Sequence, residues 1–398
     1  MGSHPAGDPI PHPAPISESS ALPDVLVIGG GVIGMSVAWR LARRGHAVEL
    51  VERGALGRGA TWAAAGMLAP AAELGFEELD LYALGRESLR RWPAFARQLE
   101  AEAGEPVGYR DEGTIVVADD RDSAAALRRL FQFQREHGAP VEWWTGDEAV
   151  DAEPLLSPRL PAAIWSPDDH QVDNRQLVGA LAHAVRGAGV GVRENAPVAS
   201  VTPGAPPAVE LATGERLAAR VLVLAAGAWS AGLDGLTPAP PVRPVKGQML
   251  SLRMSDALSL RHVVRGPDAY LVPKSDGRLV VGATSEEMGH DTVVTGGGLY
   301  RILEGAVDVV PAVEEMALLE TWAGLRPASR DHAPLLGASP HPGVVYATGH
   351  YRHGVLLAPV TADLAADAVE GLLGGRDETA ALRAPFSPLR FSDESSSV

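Results

Sequence analysis

Asp24-Val25-Leu26-Val27-Ile28-Gly29-Gly30-Gly31-Val32-Ile33-Gly34 reads as a buried strand, a tight glycine turn and the start of a helix. Val48-Glu49-Leu50-Val51-Glu52 follows as a second strand closed by an acid. This order is that of a dinucleotide-binding βαβ unit. Gly29 permits a turn that side chains would block, Gly31 lets the backbone approach a pyrophosphate, and Gly34 lets the helix pack close to the strand. The helix, read from Val32 to Arg44 with Gly45 as its stop, turns the positive end of its dipole toward the phosphates. Glu52 accepts hydrogen bonds from a ribose 2′-hydroxyl and repels a 2′-phosphate.

Beyond this unit, residues 54–70 are rich in Gly and Ala, with Thr61 and Trp62 embedded, and small side chains there allow a flat ligand to lie close. Leu79 to Ala103 has helical periodicity, with Leu81, Leu84, Leu89, Trp92 and Phe95 facing inward. A short strand is predicted at Thr114–Ala118, and helices at Ser123–His137 and at about 175–188. Val221-Leu222-Val223-Leu224 reads as a buried parallel strand, and Ala226-Gly227 falls at its C-terminal end, where open α/β sheets bind ligands. From Val242 the pattern turns to antiparallel alternation, with strands at 247–253, 269–273 and 278–284. A helix is expected at Leu299–Val309, a loop with two arginines at Trp322–Arg330, a strand at Val344–Thr348 and a closing helix from Leu356 to Leu373.

The 398 residues carry 34 Lys and Arg against 50 Asp and Glu, a net charge of −16. That balance disfavours a nucleic-acid groove. No apolar run is long enough for a membrane-spanning helix. The absence of cysteine removes disulfides, thiolate metal sites and a thioether-linked flavin, and fits a cytoplasmic protein. His46, His137, His183 and His341 lack metal-ligand spacing, and no metal site is expected. The first 22 residues lack the apolar core of a signal peptide. They and the tail 376–398 are expected to be mobile.

Gly29–Gly34, Ala63-Ala64-Ala65-Gly66-Met67-Leu68-Ala69-Pro70, Tyr270-Leu271-Val272-Pro273, Thr321-Trp322-Ala323-Gly324-Leu325-Arg326-Pro327 and Gly349-His350-Tyr351-Arg352-His353-Gly354 recur together in one family. Over about 24–370 the chain resembles bacterial glycine oxidases (ThiO-like), within the D-amino-acid oxidase and sarcosine oxidase superfamily. The resemblance implies an α/β fold of the glutathione-reductase-2-like kind. A discontinuous Rossmann-like FAD-binding domain (23–95, 160–235 and 321–375) would carry an antiparallel-sheet α+β substrate domain (96–159 and 236–320). It implies non-covalent FAD, oxygen and a small amino-acid substrate. The pyrophosphate would lie on Gly29, Gly31, Val32, Ile33 and Gly34, the ribose on Glu52 beside Arg53, and the adenine at Val198. Ala64, Ala65, Gly66 and Met67 would follow the isoalloxazine, and Thr61 would also bind the cofactor. Gly227 would approach the pyrophosphate from the second strand, Ala226, Trp229 and Gly324 would also bind the cofactor, and His350, Tyr351, Arg352, His353, Gly354, Val355 and Leu356 would supply backbone donors near the flavin pyrimidine.

The implied reaction is oxidation of glycine or an N-substituted glycine to an imine by hydride transfer to the flavin. Hydrolysis gives glyoxylate plus amine, and oxygen gives hydrogen peroxide, in thiamine biosynthesis or secondary metabolism. Arg326 would grip the substrate carboxylate as a bidentate fork, unless it pairs with Glu320 or Asp331 instead. Tyr270 would donate to the same carboxylate, and Arg352 would add positive potential. Met67, Ser285 and His353 would line the substrate pocket. His353 stands where relatives carry Asn and would respond to pH. Ser285 stands where some carry Met and leaves room for an N-substituent. A flavin dehydrogenase with a carrier acceptor, or an oxidase of a larger N-carboxymethyl amino acid, fits the same motifs. Association with further copies of the chain is compatible with the sequence.

Overall fold

The computed structural model describes residues 22–391. The arm read as mobile lies outside these, apart from its last residue. Val25–Ile28 sits in the middle of a six-stranded sheet ordered Leu335–Ala338, Val344–Thr348, Val221–Leu224, Val25–Ile28, Val48–Val51, Gly191–Arg193. Every neighbouring pair is parallel except the first, which is antiparallel. The central strand is apolar on both faces because helices cover one side and a three-stranded sheet carrying Val201, Val209 and Leu211 covers the other. Val32–Arg43, Leu79–Ala103, Asn174–Gly187 and Ala358–Leu372 share one core with it, in which Trp39, Trp92 and Phe95 are buried. Leu81 and Leu84 also face inward and Leu89 packs at the margin.

An eight-stranded sheet forms the second layer system. Its order is Ala317–Ser329, Val242–Arg253, Arg278–Gly282, Tyr270–Pro273, Val263–Arg265, Thr114–Ala118, Ala162–Ser166, Glu142–Thr145. All its pairings are antiparallel except that of Val263–Arg265 with Thr114–Ala118.

Three expectations change. The stretch read as a loop at Trp322–Arg330 is, up to Ser329, the end of a 13-residue strand. This strand is the sheet edge, where proline is tolerated, and Gly324 and Pro327 lie opposite Gly247 and Pro244. Ala162–Ser166 and Ala317–Ser329 therefore belong to the eight-stranded sheet, so the segments 160–235 and 321–375 do not lie wholly with the nucleotide unit. Residues 376–391 are also packed rather than loose. Phe386 is in the main core, Arg383 donates to Leu364 O at 3.2 Å, and Arg390 grips both oxygens of Asp331 at 2.8 Å. Residues 392–398 lie outside the described part.

Candidate active site

One cavity of about 690 Å³ runs from the glycine turn to the eight-stranded sheet. At its first end, Gly29 has φ +107°, and a Cβ there would lie 2.5 Å from Ala225 O. Gly34 does not reach the cavity. A Cβ on it would strike Gly29 O at 1.9 Å, so its glycine serves the close packing of helix on turn. Val32 N–H donates to Thr61 Oγ1 at 2.9 Å. The N–H groups of Gly31 and Ile33 have no hydrogen-bond partner among the described residues and belong to the cavity wall. Glu52 accepts from Gly30 N–H at 2.7 Å and Gly54 N–H at 2.9 Å, leaving lone pairs for a ligand hydroxyl. Arg53 lies 3.3 Å over the ring of Trp229, and Val198, Ala226 and Gly227 complete this end.

The middle is the wall 64–67. Gly66 has φ +80°, and a Cβ there would fall 2.1 Å from Val172 O. Asn174, which the sequence reading did not single out, donates to Thr61 O and Trp62 O at 2.9 Å each and holds the preceding turn. Gly354, Val355 and Leu356 also line the cavity, and their N–H groups have no partner among the described residues.

At the far end Arg326 and Tyr270 meet. Arg326 donates to Thr284 O at 3.1 Å and has no carboxylate partner among the described residues. Glu320 is taken by Arg175 at 2.5 Å and Asp331 by Arg390, so neither ion pair considered for Arg326 forms. Burial pushes the Tyr270 phenol up, and the adjacent Arg326 pulls the other way. Two unforeseen glycines make room for this pair. A Cβ on Gly247 would meet Arg326 Nη1 at 2.5 Å, and one on Gly282 would meet the Tyr270 hydroxyl at 2.7 Å. Met67 and Ser285 also line this end, and Ser285 is exposed.

Arg352 reaches the wall, but its guanidinium is engaged by Glu73 at 2.8 Å and Glu78 at 2.7 Å. It is not a free charge for substrate. Burial pushes Glu73 up, but Arg265, His353 and Arg352 outweigh it and hold this carboxyl at about 2. Burial pulls His353 down to about 4 and His350 to about 3. Both rings are neutral near pH 7, so the pH response expected of His353 is displaced well into acid. His350 is further committed to Thr361 Oγ1 at 3.0 Å. Tyr351 adopts φ +48° and stacks on His332.

The family model for FAD dependent oxidoreductases (DAO) matches residues 24–368. The chain belongs to this family. It is 38% identical over 372 residues to the glycine oxidase of Geobacillus kaustophilus, covering 92% of this chain and 97% of that one. The crystal structure of that glycine oxidase superposes with a TM-score of 0.87 over 93% of this chain and 99% of the other. An iminodiacetate oxidase from Chelativorans sp. BNC1 is 28% identical, with a TM-score of 0.82 over 92% and 98% of the two chains. The bifunctional ThiO/ThiG protein of Synechocystis is 35% identical over 92% of this chain, which spans about half of that relative's length (54%).

FAD is thus the cofactor of this oxidoreductase, and the cavity fits it. Unpaired N–H groups at a helix N-terminus suit a pyrophosphate, and Glu52 suits a ribose. The small side chains at 64–66 and the unpaired N–H groups at 354–356 suit a planar ring that gains negative charge on reduction. With no cysteine in the chain, the flavin has no thiol for a thioether link.

Proposed function

We propose that this family member oxidises glycine or an N-substituted glycine, R–NH–CH₂–COO⁻, at its carbon–nitrogen bond. With water and oxygen the products are glyoxylate, the amine R–NH₂ and hydrogen peroxide. Bound FAD supplies the two-electron acceptor. The observation that carries the reading is Arg326, a half-buried guanidinium without a carboxylate partner among the described residues, beside Tyr270 in the wall of the cofactor cavity. A guanidinium fork binds a carboxylate bidentately, and the phenol adds a third donor. In this reading the two anchor the acid end of the substrate and turn its α-carbon toward the 64–67 wall. Ser285, exposed on the same cavity, leaves space for an N-substituent.

The relatives' names support both the amine-oxidase chemistry and a place in thiamine biosynthesis, and iminodiacetate is itself an N-substituted glycine. Among the described residues no helix is long and apolar enough to cross a membrane. The reading includes cytoplasmic action on diffusing small molecules, with self-association open to measurement.

The test is anaerobic mixing of the yellow protein with glycine, N-methylglycine, N-ethylglycine and iminodiacetate. Bleaching by at least one of them, followed in air by one glyoxylate and one peroxide per turnover, is expected. A flavin that stays oxidised with all four refutes the substrate class. Bleaching without peroxide on admitting air refutes oxygen as acceptor.

A further inference from the structure

Behind the 64–67 wall stands a lysine that the proposed chemistry does not use. Lys274 follows the strand Tyr270–Pro273 and is only 3% exposed. Its Nζ donates to Ala65 O at 2.6 Å, Val172 O at 2.9 Å and Gln171 Oε1 at 3.2 Å. An ammonium has three N–H donors and no acceptor, so all three are spent on three acceptors. A neutral amine would leave a lone pair against one of those oxygens.

No carboxylate lies within ion-pair distance of Lys274 among the described residues. The acids that act on it, Asp173 and Asp276, are each held by Arg278 at 2.6 Å. The other nearby cation, Arg110, pairs with Glu112 at 2.8 Å. Lys274 is therefore a buried positive charge held by neutral oxygens. It ties Ala65 to Val172, and Gly66 fills the gap between them, since a Cβ there would lie 3.2 Å from Nζ. The Gly66 N–H, the other half of the peptide whose carbonyl Lys274 holds, has no partner among the described residues, and Gly66 lines the cavity.

We propose that Lys274 is a positioning residue for the flavin: its ammonium holds and polarises the Ala65–Gly66 peptide so that the Gly66 N–H serves the bound ring, and its fixed charge favours the reduced, more negative flavin. This rests on the isoalloxazine lying along 64–67. An amide whose carbonyl accepts from a cation is a better donor through its N–H, and a charge behind a dry wall is weakly screened. Burial pulls Lys274 down to about 7, against Asp173 and Asp276, which raise it, and with Arg278 and Arg110, which lower it further. The ammonium is thus more fully populated at pH 6 than at pH 8.5.

The experiment is reductive titration of the purified holoenzyme against a reference dye, with Lys274→Met, Lys274→Gln and Lys274→Arg. At pH 6 the reduced-to-oxidised flavin ratio at fixed potential should fall tenfold or more in the Met and Gln variants, about 30 mV for a two-electron couple. It should return to within threefold of wild type in the Arg variant. The gap between wild type and Gln should be smaller at pH 8.5 than at pH 6. Should the Met variant fail to fold, the Gln variant decides. An unchanged ratio in the uncharged variants overturns the proposal. Gly66→Ala separates the two readings by its absorbance spectrum and FAD dissociation constant. If it alters neither, the placement of the ring fails; if it alters them while the Lys274 variants leave the ratio unchanged, only the lysine's role fails.

Discussion

Arg326→Ala should separate substrate binding from folding. In the protein the guanidinium has one short bond, to Thr284 O at 3.1 Å, and a longer contact with Lys246 O at 3.5 Å. No carboxylate among the described residues depends on it, so its removal strands no buried charge. Losing one hydrogen bond of that kind costs about 0.5–1.5 kcal/mol, and the melting temperature should fall by only a few degrees. The substrate carboxylate, by contrast, would lose two charge-assisted bonds of about 1.5–3 kcal/mol each. At about 1.4 kcal/mol per factor of ten, kcat/KM should drop about 10²- to 10⁴-fold. Arg326→Lys keeps the charge but loses the fork, and should fall between. The assays are steady-state peroxide formation with glycine and N-ethylglycine, the flavin spectrum and thermal melting. A variant that stays yellow and melts normally, yet keeps kcat/KM within threefold for both substrates, refutes the anchor. One that loses its flavin refutes the separation of roles.

Gly247→Ala should mimic this loss without removing the charge, because the new Cβ, 2.5 Å from Arg326 Nη1, pushes the mobile end of the arginine away; wild-type KM for glycine would refute that. Ser285→Met should reduce kcat/KM for N-ethylglycine at least tenfold more than for glycine, and equal effects would take Ser285 out of the pocket. Arg352→Gln should destabilise by about 1.5–3 kcal/mol, because Glu73 loses one charge-assisted partner and keeps Arg265 at 3.2 Å, read as a fall in melting temperature. Glu73, held at about 2 from an ordinary 4.5, contributes stability that is complete above 4.5 and lost as pH falls toward 2; Glu73→Gln should flatten the melting curve across that window.

The nucleotide end of the cavity was legible because its chemistry is local. Gly29, Gly31, Glu52 and Thr61 lie within the 33 residues 29–61 and do their work through backbone and turn geometry that a linear pattern records. Arg326 and Tyr270 were legible through the resemblance, not through the strands that hold them. The strand around Arg326 was read as a loop because it lines a cavity on one side and an edge on the other, so the period-two alternation is lost. Gly247 and Gly282 carried no signal, since their purpose is space for side chains on neighbouring strands. Lys274 precedes Ser275-Asp276-Gly277 and reads as a solvated turn lysine, yet it is buried under a wall more than 200 residues earlier in the chain. Glu73 gave no warning of holding Arg265 and Arg352 together.

The difference between Arg326 and Arg352 shows where function is decided. Both line the same cavity, 26 residues apart, and both sit in stretches that match the family. Arg352 has its negative charge built in, from Glu73 and Glu78 some 270 residues earlier. Arg326 has acids close by in sequence, but they are spoken for, Glu320 by Arg175 and Asp331 by Arg390. The fold thus pairs off the carboxylates nearest Arg326 in sequence and leaves its guanidinium in the cavity wall, where an incoming acid could meet it. Desolvating an unmatched guanidinium is costly, and a carboxylate ligand that satisfies it recovers that cost on binding. Restoring an internal partner should therefore inhibit: Thr284→Glu, on the residue whose carbonyl Arg326 already contacts, should keep the flavin and raise KM for every carboxylate substrate alike, and a selective effect on one substrate would count against charge pairing as the cause.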